Sequence, residues 1–271
     1  MVSLMSIETR KNILLLVEGD SSEVSLFSRI LDCFPEIKIN KNNILVYHTN
    51  LWVLNGNLKK EFGDDWYSQE IDFLEFLKSS PNLQNQIKNI DTIRITDIFL
   101  VFDYERQDPL FDSSALENLQ RFFSNSTENG QLYINYPMIE AYKHLKKPFP
   151  DNDYLNRECS CSILTSKENK KNKYKQIVGD ESNYKDLKKI QTEDFRQFVI
   201  HNLCKASFII KGGGEVSETI AYNYWKNMNM SLILKKQNQH SEDILCGSVY
   251  VLCTCLFFIP DYKSSLIFES E

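Results

Sequence analysis

The pattern of apolar and polar positions changes near residue 147. Before that point, short apolar runs ending in acidic or glycine-containing turns alternate with segments of helical period. Residues 12–17 (NILLLV) form an unbroken apolar run that stops at Glu18-Gly19-Asp20. A run of this length closed by a turn predicts a strand buried on both faces of a sheet. Ser21, Ser22 and Glu23 predict a helix start, with Val24, Leu26, Phe27, Ile30 and Leu31 at helical spacing behind it. Residues 43–47 (NILVY) are a second candidate strand. Residues 65–78 predict a helix whose apolar positions are Trp66, Ile71, Phe73, Leu74 and Leu77. Residues 97–102 (DIFLVF) are the clearest strand and end at Asp103-Tyr104-Glu105. Residues 113–123 predict another helix, and residues 131–135 (QLYIN) a fourth strand. Pro137 suits the first turn of a helix, so a helix carrying Glu140 and residues 142–145 is expected after it.

This alternation predicts an α/β fold with a parallel sheet covered by helices. Pro148, Pro150, Asp151 and Asn152 then break the pattern, and a polar, lysine-rich stretch runs to about residue 191. From Thr192 the period is mostly helical, over residues 195–204, 216–225 and 241–259. The expected layout is an α/β domain over residues 1–147 and a mainly helical C-terminal region over residues 148–271. Residues 244–259 are nearly uncharged. A membrane span needs about 20 apolar residues, and Gly247, Ser248 and Thr254 interrupt this shorter run. A buried core or interface helix is the favoured reading, with no membrane partner.

Composition adjusts this picture in three places. The chain has 271 residues, 42% hydrophobic and 25% charged, which is a globular rather than a disordered mixture. The net charge of −6 lacks the overall basic balance of a nucleic-acid-binding surface, so such contacts would have to be local. The seven cysteines are scattered, and residues 1–12 are too polar for a secretory signal. Reduced thiols in a cytoplasmic protein are expected. Cys159 with Cys161, and Cys253 with Cys255, form C-x-C pairs rather than the C-x(2–4)-C pairs of zinc sites; buried structural cysteine is the favoured reading. His48, His144, His201 and His240 show no paired metal spacing. Lys211-Gly212-Gly213-Gly214 lacks the spacing of a P-loop and reads as a flexible connection.

The candidate chemistry lies in the acids that close the buried strands. Glu18 follows the first strand, where open α/β sheets bind ligands. Gly19 lets the chain turn tightly beside it. Glu23 falls in the first helical turn, a position that also serves the helix dipole. Asp103 and Glu105 follow the clearest strand and lie on one side of an extended segment, with Asp108 close behind. Acids so placed repel each other unless a cation or proton lies between them, and hard oxygen ligands suit Mg²⁺ or Mn²⁺. The plainer alternative is a loop acid pair partnered by Arg106. Glu140 sits among Met138, Ile139 and Ala141, on no obviously polar face. Lys167, Lys170, Lys171, Lys173 and Lys175 are a candidate phosphate-tracking stretch. A solvated loop is its alternative.

The pairing of Val17-Glu18-Gly19 with a later Asp103-Tyr104-Glu105 resembles the TOPRIM family over roughly residues 12–145. That fold is shared by topoisomerases, bacterial primases and nucleases of the overcoming-lysogenization-defect (OLD) type. The spacing E-G-x-x-S-E is most similar to stand-alone TOPRIM proteins of OLD-type and other phage-defence systems. The resemblance implies Glu18 as general base or metal ligand, and Asp103 and Glu105 as metal-binding acids. It adds Glu23, Asp108 and Glu140 as further metal candidates, and Lys170, Lys171, Lys173 and Lys175 remain candidates for nucleic-acid contact. The family often has Asp where Glu105 stands; the extra methylene moves that carboxylate outward. The implied activity is a Mg²⁺- or Mn²⁺-dependent nuclease acting on DNA or RNA, an effector of anti-phage defence. No P-loop is present, so the resemblance implies either a separate ATPase subunit as partner or action without one, and assembly as a homo-oligomer is left open. The alternatives are a non-catalytic regulatory subunit on the same scaffold and, with less support, nucleotidyl transfer.

Overall fold

The computed structural model describes residues 11–165, 173–242 and 247–268. β1 (Ile13–Val17) is buried at every position, as its unbroken apolar sequence requires. β2 (Ile44–Val46) and β3 (Asp97–Asp103) flank it, both parallel to it. β4 (Ser124–Asn125) and β5 (Gly130–Asn135) complete a five-stranded sheet in the order β2-β1-β3-β5-β4. Only β4, a short exposed edge, runs antiparallel. The expected α/β fold with a mainly parallel sheet is therefore present.

Helices fill the crossovers. α1 (Ser22–Cys33) follows β1, and α2 (Leu51–Phe62), α3 (Phe73–Ser79) and α4 (Gln84–Ile87) lie between β2 and β3. α5 (Ser113–Phe122) leads from β3 to β4. The expected helix over residues 65–78 is instead a 3₁₀ turn, Trp66–Ser68, and then α3. Asp72 breaks it by accepting a hydrogen bond from Glu75 N–H at 2.9 Å, which starts a new helix at Phe73. The helix expected after Pro137 is a 3₁₀ helix, Ile139–His144. Its first N–H is drawn to the Asp103 carboxylate at 2.8 Å.

The later part comprises β6 (Glu158–Ser160), α6 (Cys161–Thr165), α7 (Lys173–Glu181), α8 (Thr192–Lys211), α9 (Glu218–Lys226) and α10 (Met230–Ser241). The helix expected over residues 241–259 does not form among its described residues. β7 (Ser248–Tyr250) pairs antiparallel with β6, and a 3₁₀ turn, Thr254–Phe257, leads into α11 (Phe258–Tyr262). Residues 243–246 lie outside the described residues. A largely buried segment carries little amphipathic period, so periodicity cannot separate strand from helix there. Val249 and Val251 favour the strand.

This segment ties the later part to the sheet. Leu252 bridges Tyr136 in antiparallel pairing, Thr254 Oγ1 donates to Ile134 O at 2.7 Å, and Cys255 N–H donates to Asn135 Oδ1 at 3.2 Å. On one sheet face, Phe99 meets Phe258 edge-on; on the other, Phe102 meets Tyr47. One hydrophobic cluster runs from Ile13 to Phe268. Among the described residues, no helix is long and apolar enough to cross a membrane.

Candidate functional site

The chain leaves β1 for β2 on one side and returns as β3 on the other. The strand order reverses between β1 and β3, and open α/β sheets bind ligands in the crevice beyond the carboxyl ends at such a point. Glu18 and Asp103 stand there. Glu18 N–H extends the ladder to Val101 O at 3.2 Å, and Glu18 Oε2 accepts from Asp103 N–H at 3.1 Å. Asp103 is only 7% exposed, with Oδ1 held by Ile139 N–H. Tyr104 points the other way, fully buried, and its hydroxyl donates to Asn238 Oδ1 of α10 at 2.7 Å. The second motif is thus anchored from behind by the later part of the chain.

Glu105 adopts φ +41° and His48, just past β2, φ +62°. These are the positive-φ non-glycine residues among the described residues; His48 N–H donates to Glu18 O at 2.9 Å, and the Glu105 charge acts on Glu18. Such strain persists only where surrounding contacts impose it, and it concentrates at functional sites. The Glu105 carboxylate meets Asn50, whose Nδ2 donates to Glu105 Oε2 and to Asp108 Oδ2, each at 2.7 Å. Asn50 Oδ1 meanwhile caps α2 by accepting from Val53 N–H at 3.1 Å. The cap fixes the amide orientation, so the NH₂ group must face the acids. Arg106, the sequence candidate for pairing with these acids, lies over the Phe111 ring at 4.3 Å.

Glu23 is buried on the first turn of α1. A Cβ on Gly19 would stand 3.0 Å from Glu23 Oε2, so glycine lets this carboxylate lie against the turn. Glu140 is 4% exposed. Its Oε1 accepts from Ser22 Oγ at 2.8 Å and lies 3.2 Å from Lys175 Nζ on α7. Its Oε2 is buried without a hydrogen-bond partner.

Burial and mutual repulsion govern the charges. Burial, then the charge of Glu105, pushes the Glu18 carboxyl up to about 8, against the hydrogen bond from Asp103 N–H. Asp103 is raised well above the usual carboxylate range by burial, then by Glu18, Glu23 and Glu140. Glu23 is raised mainly by burial. Glu105 is raised by burial and Asp108, with Asn50 opposing. Lys175 offsets all four. Burial lowers its own ammonium pKa, but Glu140, Asp103 and Glu23 together carry it above the ordinary lysine value.

The sequence candidates Glu18, Glu23, Asp103, Glu105 and Glu140 therefore share one electrostatic site, and Asp108 joins through Asn50. Lys175 belongs to the same site by its contact with Glu140. Lys173 is exposed on α7, while Lys167, Lys170 and Lys171 lie outside the described residues. Two contributors escaped the sequence reading. Asn50 carries a signal, since an Asn before the apolar Leu51-Trp52 marks a helix start. Ser22 carries none beyond its place at a helix start.

The donor set is all carboxylate oxygen, which suits a hard divalent cation, and the orphaned Glu140 Oε2 is an acceptor such an ion would satisfy. The present spacing is not that of a closed coordination shell: among the described residues, no three His, Cys, Asp or Glu side chains form a group able to hold a metal ion. Metal would have to draw the acids inward. The chain matches no family model, no curated protein and no solved structure.

Asn50→Ala should lower stability by about 1–2 kcal/mol through the lost helix cap. It should also release Glu105 and Asp108. Urea unfolding checks the first effect; an unchanged midpoint would show that Asn50 contributes nothing to the fold.

Proposed function

We propose that this protein is a TOPRIM-type, Mg²⁺- or Mn²⁺-dependent nuclease acting on DNA or RNA. The observation that supports this most is the placement of Glu18 and Asp103 at adjacent parallel strand ends, joined through Asp103 N–H, at the switch point of the sheet. Glu18 and Asp103 would hold the ion, with Glu105 at the rim and Glu23 and Glu140 as further donors. A divalent ion there would supply the positive charge that phosphodiester hydrolysis requires. The protein's own part is to keep these acids out of bulk water and fixed by backbone donors. A Glu18 carboxyl raised to about 8 is poised to exchange a proton near neutral pH. A role in anti-phage defence and a separate ATPase partner rest on the sequence resemblance, and a cytoplasmic setting on the scattered cysteines and the polar residues 1–12.

A second reading is favoured by one observation. Glu140 is paired with Lys175, and no three of the acids form a group able to hold a metal ion among the described residues, as expected of a scaffold that serves as a non-catalytic regulatory subunit. End-labelled DNA and RNA incubated with Mn²⁺ or Mg²⁺ separate the two readings. Cleavage lost in Glu18→Ala and in Asp103→Ala supports the nuclease, whereas equal cleavage by both variants and the parent removes it.

A further inference from the structure

Lys175 stands where a cation belongs. Its Nζ lies 3.2 Å from Glu140 Oε1, and its charge is felt by Glu18, Glu23, Asp103 and Glu105. Glu140 is only half used, since Oε1 serves Ser22 and Lys175 while Oε2 is buried and unpartnered. The ammonium touches the cluster at Glu140, and it acts on the other four acids through charge alone.

We infer that Lys175 is the resident counter-ion of this cluster, and that a divalent metal enters by displacing it from Glu140. The inference rests on the metal-site reading above. An ammonium and a divalent ion repel each other strongly at the few ångströms available around one carboxylate. The Lys175 side chain is 45% exposed, and lysine is a point charge on a flexible four-carbon stem that can turn back into water. α7 itself can stay docked, because it is held by the buried Tyr174 and Val178, with Tyr174 packed at 5.4 Å against the His144 ring. Once Lys175 leaves, Glu140 Oε1 keeps the Ser22 hydroxyl, the unpartnered Oε2 can take the ion, and the repelling acids gain a stronger cation.

Calorimetric titration with Mn²⁺ tests this on the full chain and on Lys175→Met. The variant should bind Mn²⁺ about tenfold more tightly, an ordinary size for a coupling between two ligands of one site. Equal or weaker binding by the variant, with the parent still binding, overturns the role of Lys175 and leaves the metal reading standing. No Mn²⁺ binding by either protein removes both. The parent protein supplies a check that does not depend on how the variant folds. Acetic anhydride labelling of Lys175, followed by mass spectrometry with Lys173 as reference, should rise when Mn²⁺ saturates the site. Unchanged or reduced labelling of Lys175 at saturation overturns the inference.

Discussion

Asp103→Asn is expected to abolish metal-dependent cleavage while raising the melting temperature of the same protein. Asp103 is 7% exposed, its charge opposed by burial and by Glu18, Glu23 and Glu140. Asparagine keeps the shape and an oxygen to accept Ile139 N–H, and its NH₂ group can donate to a neighbouring carboxylate. The repulsion disappears, so the gain should be roughly 1 kcal/mol, a common size for relieving a functional compromise. Cleavage should fall about 100-fold or more, since even removing an outer partner of a metal ligand costs 10- to 100-fold. Calorimetric scanning and an oligonucleotide cleavage assay measure the two effects. A lower melting temperature would mean that Asp103 supports the fold as an anion, which its surroundings do not favour.

The metal-free protein should lose stability as pH rises from about 6.5 to 8. Glu18 keeps its proton in the folded chain up to about 8, whereas the unfolded chain releases it near 4.5. Between those values the folded state binds more protons, so its stability is full at low pH and falls as pH rises. Asp103, Glu23 and Glu105 shift in the same direction. His144, lowered to about 4 by burial, and His201, also lowered by burial, act oppositely below their unfolded value of 6.5. The carboxylate effect is therefore cleanest above 6.5. Its slope should approach roughly 1 kcal/mol per pH unit for one fully shifted group. Melting temperatures across this range, for the parent and for Glu18→Gln, give the measurement. The parent should decline and the variant should be flatter. Mn²⁺ should restore the parent at pH 8, because a ligand bound only by the folded state stabilises it by mass action. A parent curve that rises from pH 6.5 to 8 would contradict the charge arrangement.

Much of the fold follows from local pattern. The runs at residues 13–17 and 98–102 are apolar at every position, short, and closed by acidic turns, the mark of a strand covered on two faces. They became β1 and β3. The helix after Ser22 and the helix over residues 113–123 follow equally from amphipathic period. Pattern failed where it carried no directional information. Residues 251–259 are buried throughout and Ser248 and Val249 with them, so apolar character does not separate β7 from a helix, and pairing with β6 decided the matter. Asp72 and Pro137 sit where a side-chain cap or a tertiary hydrogen bond overruled helical spacing.

The acids divide in the same way. That Glu18 and Asp103 close two buried strands is a property of the sequence, because strand ends and their turns are local events. That β1 and β3 are neighbours depends on strand order, which pairs residues 85 positions apart. Asn50, Ser22 and Lys175 reached the acids only through tertiary packing. They are 55, 118 and 35 residues from their carboxylate partners Glu105, Glu140 and Glu140. The sequence by itself therefore determined which strands would end in carboxylates. The tertiary structure decided which of those carboxylates share a field and which cation neutralises them. Electrostatic repulsion acts through space, and distance along the chain says nothing about it.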